Sequence, residues 1–175
     1  MIIRHFQKGD TVSSATYSSC ERFRYALTRM WNPDGKRAAF VMLNPSQATE
    51  ANNDPTVERC ERRARMLGFG AFRVTNIFAY RATDPAELRK VADPIGPKND
   101  WAIEQSAVWS DQVICGWGFH GAHAGRGAAV EALLRATDVP LFHLSLTQAG
   151  HPRHPLYISY RQRPIAWQQV APAHV

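Results

Sequence analysis

Four short apolar runs fix the outline of this chain: RAAFVML at 37–43, FRVTNIFAY at 72–80, DQVICGWG at 111–118 and PLFHLSL at 140–146. Each is too short for a buried helix and reads as a strand covered on both sides. Helix patterns stand between them. Asp54-Pro55 supplies an N-cap and a proline at the first helical position. Val57, Cys60, Ala64 and Leu67 then recur on one face, and Gly68 ends the run. Thr83-Asp84-Pro85 opens a short helix, Asn99-Asp100 opens one reaching Trp109, and residues 123–137 carry Val130, Leu133 and Leu134 inward. Strands alternating with helices predict an α/β fold with a mainly parallel central sheet and helices on both faces. Residues 21–43 read as an antiparallel hairpin at one side, turning at Asn32-Pro33-Asp34-Gly35. The stretch 154–160 is expected to be a final extended piece.

The ends of these strands carry the polar residues. The first ends at Asn44-Pro45-Ser46 and continues into a polar loop longer than the about 2–6 residues a plain strand-to-helix connection needs. The second holds Asn76 and is followed by Arg81, the third ends at Gly116-Trp117-Gly118, and the fourth leads into GHPRHPLY at 150–157. Ligands of open α/β sheets bind just beyond the carboxyl ends of the strands. One shared crevice is therefore expected, with Asn44 and its loop as a wall. Each residue also has a purely structural explanation. Asp54 serves as a helix cap, Asn44 can start an Asx-turn, Asn76 can tie loops together, and Trp117 can be core. His154, held between prolines, has a stiff backbone that fixes its imidazole.

At 175 residues the chain is long enough for one well-buried domain, 1–175. It lacks an apolar run long enough for a bilayer and an N-terminal secretion signal, so a cytoplasmic, monomeric protein with no membrane contact is expected. Cys20, Cys60 and Cys115 are far apart and form no C-x-x-C pair. The pairs His120/His123 and His151/His154 lack the carboxylate or H-E-x-x-H company of a metal site, so neither metal nor cofactor is expected. GWGFHG at 116–121 fits G-x-G-x-x-G, but the acidic residue that should close the next strand is missing. No nucleophile elbow occurs. A formal charge of +6 and a pI near 9.6, with arginine dominating, favour a phosphate-bearing partner: nucleic acid, DNA first, or a nucleotide.

Taken in order, LNPSQA, NNDPT, RVTNIFAYRAT, PIGPKND, CGWGFHG and LTQAGHPRHPLY resemble an uncharacterised bacterial and phage domain-of-unknown-function family, from about residue 20 to 165. A weaker likeness is to the uracil-DNA glycosylase superfamily. There FVMLNPS resembles the first-strand motif, RVTNIFAYR the middle strand, VICGWG the strand before a glycine, and HPRHPLY the His-Pro loop. That resemblance implies a three-layer α/β/α sandwich. It also implies Asn44 in the water-positioning place and His154 in the His-Pro place, with His151 as the alternative histidine. The sequence departs from the superfamily where many members carry an acidic residue in the first motif.

The expected function is a DNA glycosylase-like hydrolase that cleaves the N-glycosidic bond of an unusual or modified base. Such chemistry needs donors near the departing base and held water near the sugar. Asn44, Asp54 and His154 are the expected catalytic residues. Ser46, Asn76, Trp117, Gly118 and His151 are expected at the base, and Arg59, Arg62, Arg81, Lys98 and Arg153 at phosphates. The alternatives are a non-catalytic binder of modified or damaged DNA and a nucleotide or nucleoside hydrolase.

Overall fold

The structure is a computed structural model that describes residues 1–169. One eight-stranded sheet organises them, in the order β1-β2-β3-β5-β4-β6-β7-β8. The strands are β1 (Ile2–Lys8), β2 (Thr11–Tyr17), β3 (Arg24–Met30), β4 (Arg37–Met42), β5 (Ala71–Asn76), β6 (Gln112–Gly116), β7 (Leu141–His143) and β8 (Ile165–Ala166). Three helices connect the inner strands: α1 (Pro55–Met66), α2 (Asn99–Trp109) and α3 (Arg126–Arg135).

The expected mainly parallel, three-layer sandwich of the uracil-DNA glycosylase type is overturned. The sheet is mixed. Only the β4–β5, β4–β6 and β6–β7 ladders are parallel, while β1–β2, β2–β3, β3–β5 and β7–β8 are antiparallel. The antiparallel half hides in the sequence because β1 is exposed almost throughout. In β2, TVSSATY, small hydroxyl residues stand in for the apolar side chains that announce a strand.

The expected hairpin of residues 21–43 is also corrected. Its turn forms, with the Gly35 amide donating to Asn32 O at 3.1 Å, but β3 and β4 do not pair. The turn instead encloses Gly70. The amides of Trp31 and Asn32 both donate to Gly70 O, and the Gly70 amide donates to Lys36 O. A Cβ on Gly35 would stand 2.8 Å from the Cα of Gly70, so two bare backbones meet and β5 enters between the strands. Other departures are local. The stretch 119–125 is a kinked 3-10 segment before α3, and 154–160 holds a 3-10 turn, Pro155–Tyr157, rather than a strand.

The parallel core is apolar on both faces. Phe40, Met42, Phe72, Val74 and Ile114 pack with Val57, Cys60 and Ala64 of α1. Ala39, Val41, Val113 and Cys115 pack with Ile103 and Ala107 of α2 and with Val130 and Leu134 of α3. The chain leaves β4 through α1 on one face and leaves β6 through α3 on the other. Because β4 and β6 are neighbours, their carboxyl ends part around a crevice, the topological switch point of an α/β sheet.

Candidate functional site

A cleft of about 410 Å³ opens at that switch point. Leu43 and Asn44 come from the end of β4, Trp117 and Gly118 from the end of β6, and His154, Leu156 and Tyr157 from the late loop. Ser46, Thr56, Ala82, Thr83, Pro85, Phe119 and His120 complete the lining, which among the described residues contains no Asp, Glu, Lys or Arg. The structure therefore brings five of the expected site residues to one place: Asn44, Ser46, Trp117, Gly118 and His154.

Local backbone bonds orient the two most informative side chains. The Asn44 amide nitrogen donates to Pro45 O at 3.0 Å and to Ala82 O at 2.7 Å. With both N–H groups engaged, its Oδ1 remains as a hydrogen-bond acceptor. His154 Nδ1 accepts from the Leu156 amide at 3.3 Å, so the neutral ring carries its proton on Nε2 as a donor. Burial pushes the His154 pKa below its ordinary value, with the charge of Asp54 acting the other way, and the neutral form is favoured.

The loop that carries His154 is clamped from both sides. Arg63, 2% exposed, donates to Gln162 O, Ile158 O and Ser159 O at 2.7, 3.0 and 3.0 Å. Arg59 donates to Ile158 O at 2.6 Å and Pro155 O at 3.3 Å, and its guanidinium lies 4.4 Å over the Tyr160 ring. From the other side the Gly118 amide donates to Pro152 O at 2.7 Å. Trp117, 2% exposed, is the floor of the cleft and belongs to the core, tilted against Trp167 at 5.7 Å.

The remaining expected residues lie elsewhere. Asp54 caps α1 outside the cleft lining: Oδ1 accepts from the Val57 amide at 2.9 Å and Oδ2 from the Ala48 amide at 3.2 Å. Asn76 is buried at the end of β5, where its carbonyl accepts from Asn99 Nδ2 at 2.9 Å. His151 closes a turn with Thr147 outside the lining. Arg59 is spent on the loop, and exposed Arg62 stands 3.8 Å from Glu58. Arg153 donates to Leu146 O, and Lys98 precedes α2 without capping it through its side chain. Arg81 alone of the expected phosphate holders borders the site. It lines an adjoining groove with Gln47 and Glu87 that shares Ser46, Ala82 and Thr83 with the cleft.

Phe119, Thr56 and Tyr157 were not singled out from the sequence, His120 was weighed only as half of a metal pair and Thr83 only as the opening of a helix, although each neighbours or belongs to a motif that was. GWGFHG contains Phe119 and His120, and HPLY contains Tyr157.

A family model described as a protein of unknown function, DUF1643, matches residues 24–156, from the start of β3 to the loop that carries His154. The chain belongs to the DUF1643 family. The match spans most of the DUF1643 cleft and leaves out β1 and β2, which contribute nothing to its lining. Searches of curated proteins and of solved structures found no match. The likeness to the uracil-DNA glycosylase superfamily is thus corrected: the family found is DUF1643, and the sheet is not of that superfamily's kind.

Proposed function

We propose that this domain captures the base of a nucleotide in the cleft and hydrolyses its N-glycosidic bond. The observation that carries the reading is the pairing, in an uncharged aromatic-lined cleft, of a free acceptor, Asn44 Oδ1, with a neutral donor, His154 Nε2–H. A nucleobase presents a flat apolar face and an edge of donors and acceptors, and it fits such a lining. In the reaction the C1′–N bond breaks and leaves an anionic base and a cation-like sugar. His154 donates a hydrogen bond from Nε2–H to the departing anionic base and keeps its proton, while water adds to C1′ and the proton it releases passes through solvent to the base. A neutral imidazole at that position stabilises charge that develops only in the transition state.

Each oxygen of Asp54 accepts a backbone amide, and Asp54 stands outside the cleft lining, away from where a water-holding carboxylate would serve. That observation favours a second reading, a domain that holds the base without cleaving it.

Titration calorimetry with nucleobases, nucleosides and nucleotides, alongside chromatographic detection of released base, tests both. Binding by the wild type that weakens at least tenfold in Asn44→Ala, with base release lost in His154→Ala, supports hydrolysis. Binding without release from any nucleotide or oligonucleotide leaves the second reading. No binding in the panel overturns both.

A further inference from the structure

Two aromatic rings stand in solvent at the mouth of the cleft. Phe119 is 64% exposed and Tyr157 86% exposed, yet both line it. They come from different segments: Phe119 follows β6, and Tyr157 ends the turn begun at Pro155. Neither ring belongs to the packed core clusters, so packing does not account for their position. Phe119 is backed by His120, with ring centroids 4.0 Å apart and planes at 33°, which stiffens one lip. Beyond the shared wall of Ser46, Ala82 and Thr83 the cleft continues into the groove of Arg81, so the site extends past the volume of one base.

We infer that the captured nucleotide enters as part of a single-stranded polynucleotide, with its two neighbouring bases stacked on Phe119 and Tyr157. This rests on the nucleobase reading of the cleft. Exposed aromatic rings beside a base-sized hollow suit bases that already lie outside a duplex, because every base offers a π-face regardless of sequence. A duplex would have to surrender its stacking and pairing first. The backbone leaves along the second groove, whose lining includes Arg81, a guanidinium that also donates to Glu21 O at 3.3 Å and lies 5.4 Å over the Tyr17 ring. Glu87 in the same groove opposes a tightly held phosphate there, so stacking rather than charge sets the affinity. The net charge of +6 on the whole chain adds a diffuse, salt-sensitive attraction.

The test compares a mononucleotide, a trinucleotide, an eight-residue single strand and a duplex of the same sequence, in deoxy and ribo forms, by fluorescence anisotropy and calorimetry. The trinucleotide is expected to bind at least tenfold tighter than the mononucleotide, and the duplex more weakly than either single strand. A preference for the deoxy or the ribo series identifies the polymer. Phe119→Ala and Tyr157→Ala should each lower the trinucleotide-to-mononucleotide affinity ratio about tenfold, and both side chains are exposed enough for the fold to survive. Equal affinity for mononucleotide and trinucleotide, or for single strand and duplex, overturns this inference while leaving the cleft reading intact. Failure of the mononucleotide itself to bind removes both.

Discussion

Pro155 rests on the bare Cα of Gly116: a Cβ placed on that glycine would lie 2.9 Å from Pro155 Cδ and 3.3 Å from Arg153 O. The last residue of β6 is thus the seat of the loop that delivers His154. Gly116→Ala should destabilise the domain by about 1–3 kcal/mol through overpacking and weaken ligand capture in the cleft. Urea unfolding and calorimetry check the two effects together. An unchanged affinity would show that the loop is not seated there.

Arg63 satisfies three loop carbonyls from a buried position. Replacing it with methionine keeps bulk but takes the charged donor from Gln162 O and Ser159 O, while Ile158 O keeps Arg59. We expect a loss of about 3 kcal/mol, seen as a melting temperature lower by about 6–12 °C for a domain of this size. Arg63→Lys, with one compact charge instead of a fork, should recover only part of it. Full recovery by lysine would show that charge alone suffices.

Acid should destabilise this protein through a buried imidazole, His143, and a partly buried one, His154. Burial lowers the pKa of His154, with Asp54 acting in opposition, and burial lowers that of His143, each from an ordinary 6.5. The unfolded chain then takes up these protons at a higher pH than the native one does. Stability is therefore full above about 6.5 and declines as pH falls through the native values. Calorimetric melting from pH 8 to 5 should follow that curve, and the His143→Gln, His154→Gln double variant should flatten it. Proton resonances of His154 titrating at or above 6.5 would contradict the assignment.

The three thiols should separate cleanly by reactivity. The Ser18 hydroxyl, 3.3 Å from Cys20 Sγ, and the neighbouring Arg22 draw exposed Cys20 down to about 7, whereas burial pushes Cys60 and Cys115 far up. Iodoacetamide at neutral pH should add one label to the native protein, at Cys20, and three after denaturation. Ser18→Ala should slow the first addition, as intact-mass spectrometry will read.

The parallel core and its helices were legible because they depend on local signals. Asp54-Pro55 begins α1, Asn99 begins α2, and apolar runs mark β4, β5 and β6. From these the strand ends followed, and with them the convergence of Asn44, Trp117 and His154 on one cleft. The misread part depends on meetings between distant residues. Nothing local to Gly35 says that it will touch Gly70, and nothing local to Asn99 says that its side chain will hold the carbonyls of Asn76 and Ile77. Arg59 looked like a phosphate holder because its partners, Pro155 O and Ile158 O, lie almost a hundred residues away.

The insertion of β5 between β3 and β4 also sets a timetable for folding. As the chain leaves the ribosome, β4 emerges with an apolar surface on both faces and no neighbour to pair with, until residue 76 and then residue 116 have followed. Its ladders join Phe40 to Val74 and to Ile114, separations that slow collapse into the native topology and prolong the bare, aggregation-prone interval. A nascent chain halted before Ala71 lacks both strands that pair with β4, so quality control by proteolysis should claim it first.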